Sequence, residues 1–239
     1  MVAMDKRLRF SFVIPAYNEE EYIERTLETI LGLAYPKESH EVIVVENGST
    51  DQTLERARAF EAQHVKVIHT DGKGTAHAKN IGANNLHPES DWVIFLDADT
   101  TLESGFLVEL ERFLSSSGES FSVGTTSVLP ISGTRTARWW FALHNLGHRL
   151  SKSSYSIKIV RRSLFPAVRF DETLTMGEDL HVIAQARVHG EFFFMPTKTV
   201  ATSTRRFEKV GWWKMAFLWL FVALLPTRLK RRFVYDVVR

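Results

Sequence analysis

The sequence predicts an α/β fold with a mostly parallel central sheet flanked by helices. Short apolar segments alternate with stretches of helical periodicity over residues 10–99, which gives the order βαβαβαβ. The segment 91–99, DWVIFLDAD, contains five apolar residues in a row. Such a run is typical of a strand that is buried on both faces at the centre of a parallel sheet.

Four strands and three helices are expected in this first part of the chain. The strands lie at 10–14, 41–45, 65–68 and 92–96. Pro15 ends the first strand, and Asn18 with Glu21 forms a capping box for the first helix. Ser49 or Thr50 caps the second helix, and a glycine-rich turn opens the third.

The second part of the chain is expected to contain three more helices and four more strands. The helices lie at 103–114, 137–150 and 178–188, and the strands at 121–128, 155–160, 191–195 and 199–203. Gly190 is expected to be the C-cap of the last helix. The helix over 137–150 has an apolar side that includes Trp139, Trp140, Leu143, Leu146 and Leu150. For its aromatic residues Trp139, Trp140 and Phe141, burial in the core is the commoner fate, and a wall of the acceptor site is the alternative.

The composition favours one domain with a C-terminal appendage. The chain has 239 residues, of which 44% are hydrophobic, and this is enough for one large core. Cysteine is absent, so a disulfide framework and a thiolate metal site are excluded, which fits a reducing compartment. Residues 1–9 are charged and lack the apolar core of a signal peptide, so export is not expected.

The positive charge of the chain lies at its C-terminal end. Residues 205–239 carry a net charge of +7, whereas the residues before them carry −5. Within this tail, eleven apolar residues at 215–225 are followed by a basic run, and a spanning helix needs about 20 apolar residues. The pattern favours a helical segment over 210–232 that lies on an anionic membrane surface. A helix packed on the sheet or on a dimer partner is the alternative.

Nucleic acid is a less favoured partner for the same tail. Stacking platforms for single strands interleave aromatic residues with lysine and arginine. Here the aromatic residues lie inside the continuous apolar run. We therefore expect no nucleic-acid binding.

Two carboxylates follow the buried central strand. Residues two apart in an extended chain point the same way, so Asp97 and Asp99 can converge beyond the carboxyl end of the strand. Open α/β sheets bind ligands at this edge. Two carboxylates there suit Mg²⁺ or Mn²⁺ that holds phosphates. A solvated strand end is the alternative interpretation.

Five segments together resemble the family 2 glycosyltransferases of the GT-A fold. They are VIPAYNE at 13–19, VVENGSTD at 44–51, KGTAHAKNIG at 73–82, FLDAD at 95–99 and GEDL at 177–180. The resemblance implies a Rossmann-like domain over 1–205, with a nucleotide-binding half at 10–100 and an acceptor half at 101–205. The remaining residues, 206–239, form the basic and apolar tail.

The resemblance also implies which residues hold the nucleoside. The loop after the first strand would place Pro15, Ala16, Tyr17 and Glu19 against the base and ribose. Glu46 stands where the family usually has aspartate and keeps an acceptor for a ring N–H of the base. Asn47 offers both a donor and an acceptor at the next position.

By the same resemblance, charged residues hold the diphosphate. Asp99 would bind Mg²⁺ or Mn²⁺ directly, and Asp97 would share the cation or contact the sugar nucleotide beside Ala98. Lys79 stands where the family often has arginine and would face the diphosphate as a point charge. Arg206, or its neighbour Arg205, lies where related enzymes place a basic and aromatic motif.

The GEDL segment would supply the general base. In the family, the residue that matches Asp179 takes a proton from the acceptor hydroxyl during inverting transfer, and Glu178 lies beside it. Acids that stabilise the dipole of a helix N-terminus are the alternative. If the acceptor is a phosphate, no base is required, and Asp179 would only position it.

The sequence therefore predicts a metal-dependent, inverting glycosyltransferase at the cytoplasmic face of the membrane. Its donor would be a UDP- or GDP-sugar, and its acceptor a lipid-linked compound or a saccharide, for which Trp139 and Trp140 form a candidate wall. A sugar nucleotidyltransferase is one rival, but the PAYNE loop lacks the glycine-rich basic pattern that it would need. A non-catalytic partner subunit is the other rival, and the intact Asp97, Asp99 and Asp179 count against it.

Overall fold

The computed structural model describes residues 7–72, 74–116, 120–174 and 177–215, together with 217 and 221. The strands are β1 Phe10–Ala16, β2 His40–Glu46, β3 Val65–His69, β4 Trp92–Phe95, β5 Thr100–Leu102, β6 Phe121–Thr126, β7 Leu129–Pro130, β8 Lys158–Arg161, β9 Glu191–Met195 and β10 Val200–Thr202. The helices are α1 Ile23–Leu31, α2 Thr53–Arg58, α3 Thr75–Asn84, α4 Phe106–Ser116, α5 Arg135–Ser151, α6 Glu178–Ala186 and α7 Arg205–Val210.

A seven-stranded sheet forms the centre of the fold, in the order β3-β2-β1-β4-β8-β6-β9. Its neighbouring strands are parallel except that β8 runs antiparallel to both β4 and β6. Strands β5, β10 and β7 form a separate three-stranded sheet. The predicted α/β fold with a mostly parallel sheet is therefore confirmed, whereas β5 and β7 were not predicted.

The two faces of the central sheet are both covered. On one face, Phe12 and Ile14 of β1 pack into the main core with α1 and α4. On the other face, Val13 joins Phe95 and residues of α3 and α6. Successive side chains of a strand point to opposite faces, so a strand between two helical layers is apolar throughout. This explains the unbroken apolar run of β4.

Helix α3 approaches the sheet unusually closely. A Cβ atom on Gly82 would lie 2.2 Å from Cγ1 of Val13, so only glycine fits between α3 and β1. The close contact fixes the depth at which Lys79, one turn earlier on α3, enters the protein.

Both predicted N-caps are wrong. Helix α1 begins at Ile23, after Tyr22, and α2 begins at Thr53, after Gln52. Asn18 instead has a φ of 52° in the loop before α1. Asn18 forms hydrogen bonds with Ser49 and Thr50 of the loop after β2. A local sequence pattern does not reveal this contact between two loops.

Several other boundaries also differ from the prediction. Strand β1 continues through Pro15 because it pairs with β4 only as far as Val13, so the missing N–H is tolerated there. Helix α6 ends at Ala186, so Gly190 is not its C-cap. A Cβ atom on Gly190 would lie 2.6 Å from the carbonyl oxygen of Ser120, and this close approach is the reason for glycine there.

The apolar side of α5 is divided between the core and the solvent. Trp140 and Phe141 are buried in the main core. Trp139 and the leucines of the same side are exposed, so the expectation of burial is wrong for Trp139. The exposed leucines are Leu143, Leu146 and Leu150.

The described part of the C-terminal segment packs on the domain. Phe207 of α7 and Met215 belong to the main core, and Trp212 packs against it. The boundary between 205 and 206 stays a prediction. Most of the apolar run and the whole basic run lie outside the described residues, at 216, 218–220 and 222–239. Among the helices that the structure describes, none has the length and hydropathy needed to cross a bilayer.

Candidate active site

The residues predicted to act meet at the carboxyl edge of the central sheet. The loops that follow β1, β2 and β4 lie at this edge, since these strands are parallel neighbours. Lys79 on the second turn of α3 and the first turns of α6 and α7 surround the same region through their side-chain contacts. This is the edge at which open α/β sheets bind ligands.

The loops after β1 and β2 interlock through hydrogen bonds. The amide of Asn18 donates to Oγ of Ser49 at 3.0 Å, and the amide of Thr50 donates to Oδ1 of Asn18 at 2.9 Å. The amide of Glu19 donates to Oγ1 of Thr53 at 2.7 Å. These bonds hold the predicted nucleoside loop, from Pro15 to Glu19, in one conformation.

Glu46 is buried, and both of its carboxylate oxygens have partners. Oε1 accepts from the amide of Ser49 at 2.5 Å, and Oε2 lies 2.5 Å from Nδ1 of His69. The neighbouring Asn47 accepts from the hydroxyl of Thr70 at 3.1 Å. The roles of Glu46 and Asn47 in base recognition stay predictions, and the structure adds His69 to the same site. Glu46 and His69 pair at the carboxyl ends of the parallel strands β2 and β3. Each residue directly follows a strand predicted from the sequence, and this shared position is the signal that indicates His69.

Arg205 joins the nucleoside loop to the carboxylate motif. Its Nη2 lies 2.6 Å from Oε1 of Glu19 and 2.5 Å from Oε2, and it also lies 3.4 Å from Oδ2 of Asp99. Its guanidinium lies 4.4 Å above the ring centre of Tyr22. Arg206 is exposed. Of the two arginines, Arg205 is therefore the one that contacts predicted site residues, and the role of Arg206 stays a prediction.

Asp97 and Asp99 lie in the turn after β4 and oppose one another electrostatically. Burial raises the pKa of Asp99, and the charge of Asp97 raises it further, whereas Arg205 and Arg206 oppose this shift. Thr202 donates to Oδ1 of Asp99 at 3.3 Å. Ala98 is buried between the two acids. A divalent cation would relieve the repulsion, so the pair fits Mg²⁺ or Mn²⁺.

The protein would supply only part of such a coordination shell. Within the described ranges, no group of three or more histidine, cysteine, aspartate or glutamate side chains is placed to hold a metal ion. Mg²⁺ is usually held by one or two carboxylates, with water and substrate phosphates as its other ligands. The site therefore fits a cation that is completed by a diphosphate.

Asp179 lies between two buried lysines. Oδ1 accepts from Nζ of Lys79 at 2.6 Å, and Oδ2 accepts from Nζ of Lys158 at 2.8 Å. Lys79 also donates to Glu178 at 3.1 Å. Burial by itself would raise the pKa of Asp179, but the charges of Lys158 and Lys79 hold it below its usual value. Asp179 is therefore ionised at neutral pH.

The backbone places Asp179 at the N-terminus of α6. Gly177 precedes this helix with a φ of 84°, a conformation that favours glycine. The helix N-terminus stabilises the negative charge of Glu178 and Asp179. Glu178 and Asp179 therefore stabilise the N-terminus of α6, and this role is compatible with a catalytic role for Asp179.

Lys158 is the main site residue that sequence reasoning missed. It is 1% exposed and lies on β8, where it pairs with Phe95 at the end of β4. Its only sequence signal is a lysine inside the otherwise apolar segment 157–160, IKIV. The antiparallel pairing that brings it to Asp179 has no local signature.

A cleft of about 410 Å³ opens beside Asp99. Residues of α1, β5 and α7 line it, including Arg25, Thr101 and Arg205, together with Ser203 and Thr204 after β10. The arginines and hydroxyl groups make it suitable for an anionic or polyhydroxylated ligand.

Comparisons with known proteins identify the family of the chain. The family model for glycosyl transferase family 2 matches residues 11–169. A curated relative is the minor teichoic acid biosynthesis protein GgaA of Bacillus subtilis, which is 27% identical over 71% of this chain and 41% of its own length. This chain therefore spans less than half of that relative.

Solved structures share the fold. Staphylococcus aureus TarS 1–349 in complex with UDP superimposes with a TM-score of 0.69 at 23% identity, covering 85% of this chain and 63% of TarS. The mannosyltransferase PcManGT of Pyrobaculum calidifontis, in complex with GDP-Man and Mn²⁺, gives a TM-score of 0.62 at 20% identity, covering 83% and 57%. The chain therefore belongs to glycosyltransferase family 2 and has the GT-A fold.

Proposed function

We propose that this protein is a metal-dependent, inverting glycosyltransferase that takes its sugar from a nucleoside-diphosphate sugar. The observation that carries the proposal is the position of Lys79. Its Nζ bonds to Asp179 at 2.6 Å, and the charge of Asp97 also acts on it. One lysine thus bonds to the candidate base and lies within electrostatic range of the candidate cation site, so the two sites are close together, as transfer between two bound substrates requires.

The donor would bind across the interlocked loops. Residues 15–19 would contact the nucleoside, while Asp97 and Asp99 would hold Mg²⁺ or Mn²⁺ at the diphosphate. When bound, the cation would stabilise the negative charge of the departing nucleoside diphosphate. Arg205 and Lys79 would add positive charge on either side. UDP and GDP are the favoured nucleotides because TarS and PcManGT are described with UDP and with GDP-Man, respectively.

The acceptor hydroxyl would give its proton to Asp179. The low pKa keeps the carboxylate ionised, but two ammonium groups also make it a weak base. If the diphosphate of a bound donor drew Lys79 away from Asp179, the pKa of Asp179 would rise and the base would be strengthened only when the donor is present. Attack from the side opposite the leaving group would invert the anomeric configuration.

The acceptor is proposed to be a lipid-linked compound or a saccharide, used at the cytoplasmic face of the membrane. The name of GgaA, a teichoic acid biosynthesis protein, supports a cell-surface polymer or its precursor as the acceptor. If the acceptor group is a phosphate, Asp179 would position it without taking a proton.

The direct test is donor binding with and without a divalent cation. A ligand that binds only the native state raises the midpoint of thermal unfolding, Tm. We expect UDP- or GDP-sugars with Mn²⁺ to raise Tm, and we expect Asp99→Ala to remove the cation-dependent part. Glu61→Gln, which removes an exposed carboxylate elsewhere, serves as the control. Equal binding in chelator, or in Asp99→Ala, would contradict the proposal.

Product analysis separates the rival functions. A glycosyltransferase releases a nucleoside diphosphate from the donor. A sugar nucleotidyltransferase instead releases pyrophosphate when it forms a sugar nucleotide. A non-catalytic partner subunit would bind the donor and release neither product.

A further inference from the structure

Large exposed apolar side chains are concentrated on one part of the molecule. Of the ten such side chains in the described part of the chain, nine lie between residues 129 and 150 or between 213 and 221. Only Val188 lies elsewhere. Single exposed apolar residues are common on protein surfaces, but a continuous group of them marks an interaction site.

The centre of this group is a stripe along α5. Its members are Trp139, Leu143, Leu146 and Leu150, and each is between 49% and 74% exposed. At about 100° per residue, the four side chains point within about 60° of one another. The opposite side of α5 already packs in the core through Trp140 and Phe141. Folding of the domain therefore leaves the stripe uncovered.

The C-terminal segment extends the stripe. The ring centres of Trp139 and Trp213 lie 6.5 Å apart, and Trp213 is itself exposed. Phe217, four residues further along, is also exposed. Helix α5 and the C-terminal segment thus contribute apolar side chains to one surface, which we call the α5 face. Its members are Trp139, Leu143, Leu146, Leu150, Trp213 and Phe217.

The charge around the α5 face identifies its partner. Arg135, Arg138 and Arg149 lie on α5, and Lys152 follows it, while no acidic residue occurs between 135 and 152. On the helical projection, the three arginines lie along one border of the stripe. A second copy of this chain would bring the same cations to the contact, so self-association through this face is disfavoured. An anionic surface would be complementary.

We propose that the α5 face binds the surface of an anionic lipid bilayer. The leucines and tryptophans would enter the boundary between headgroups and acyl chains, where tryptophan is enriched. The arginines would contact lipid phosphates, which attract basic side chains to an anionic surface. This contact differs from the one expected for 210–232 because four of its six members, Trp139 and the three leucines, belong to α5 in the middle of the folded domain.

The position of α5 connects this surface with the candidate base. His148, on the buried side of α5, accepts a hydrogen bond at Nε2 from the amide of Tyr155 at 3.3 Å. Burial raises the pKa of Tyr155 to about 12, and the nearby charge of Asp179 contributes to the shift. Helix α5 belongs to residues 101–205, which are proposed to bind the acceptor, so a bilayer against its exposed side would lie next to that half. This arrangement suits an acceptor that is anchored in the membrane.

Vesicle flotation of the full chain tests the proposal. The wild type is expected to float with vesicles of phosphatidylcholine and phosphatidylglycerol and to bind vesicles of phosphatidylcholine alone much more weakly. Leu146→Glu with Leu150→Glu places two negative charges on the α5 face, and we expect it to weaken partitioning at least tenfold. Leu150→Glu alone should weaken partitioning less than the double variant, whereas its matched control Val188→Glu, at an exposed apolar position outside the face, should float like the wild type.

Donor-induced Tm shifts and the oligomeric state are measured beside flotation. Donor-induced Tm shifts without vesicles should be the same in the double variant and the wild type, so loss of flotation is distinguishable from failure of the proposed catalytic function. Undiminished flotation of the double variant would overturn the proposal and leave the tail as the membrane contact. Absence of wild-type flotation would also overturn it. A wild-type dimer that dissociates in the double variant would show that the face binds a second copy instead.

Discussion

Lys158 donates a hydrogen bond of 2.8 Å from Nζ to Oδ2 of Asp179, and Lys79 binds the other oxygen of the same carboxylate. All three side chains are buried. A buried ion pair contributes little when it is complete, but removal of one partner leaves a charge without compensation and costs several kcal/mol. The pair of lysines therefore makes Asp179 a structural as well as a candidate catalytic residue.

Lys158→Met should lower the free energy of unfolding by about 3 kcal/mol, because Asp179 would lose one of its two countercharges. Urea denaturation measures this change. Lys66→Met, at an exposed lysine, is the matched control and should stay within about 0.5 kcal/mol of the wild type. In a double-mutant cycle, Asp179→Asn should recover more than 1 kcal/mol of the loss. Additive effects would show that the two residues are not coupled.

Asp179→Asn should retain donor binding and lose transfer. The amide cannot take a proton from the acceptor, and general-base catalysis typically contributes about 10²- to 10⁴-fold. Donor binding is followed by the Tm shift with Mn²⁺, and transfer by release of the nucleoside diphosphate. If transfer continues at the wild-type rate, Asp179 is not the base. An acceptor that carries a phosphate would then become the better model.

The two adjacent arginines should respond differently to substitution. Arg205→Met removes the contact with both Glu19 and Asp99, so we expect donor affinity to fall at least tenfold. Arg206→Met removes an exposed side chain from the same turn of α7 and should have a much smaller effect. Isothermal titration with the donor and Mn²⁺ gives both affinities. A larger loss in Arg206→Met would restore Arg206 as the diphosphate ligand.

The free energy of unfolding should decrease as the pH falls from about 7 to 4. Burial lowers the pKa of His144 to about 4, so the folded protein keeps this imidazole neutral while the unfolded chain takes up a proton near pH 6.5. More protons bind to the unfolded state within this window, so stability is complete above it and is lost as the pH falls. The shift corresponds to about 3 kcal/mol.

The pH dependence has its own control. His144→Leu should flatten the slope of stability against pH, although His148, whose pKa is also lowered by burial, should retain part of it. His64→Asn, at an exposed histidine, should leave the slope unchanged. The slope is compared rather than the absolute stability, so a destabilised variant still gives an answer. An unchanged slope in His144→Leu would contradict the assignment.

The sequence predicted the central sheet well because a strand that is buried on both faces appears in the sequence as a continuous apolar run. It also placed Asp97, Asp99, Lys79 and Asp179 in motifs that the fold brings to one edge. It failed at the caps, since Asn18 and Ser49 look locally like helix caps but bond between two loops that are about 30 residues apart in the chain.

Other failures have equally definite physical causes. The strands β5 and β7 have only three and two residues, too few to show a periodicity. Lys158 reaches Asp179 through strand pairing, which no local pattern encodes. Arg205 and Arg206 differ only in which side of a helical turn they occupy. On α5, the periodicity identified an apolar stripe but could not show whether another element covers it.

The place of Arg205 has a further consequence. Its guanidinium contacts both Glu19 and Asp99, so a divalent ion that arrives with the donor would share Asp99 with it. Arg205 opens α7, the helix that leads directly to Trp212 and Trp213. A rearrangement of Arg205 on donor binding would therefore be transmitted along one short helix to the two tryptophans that follow it.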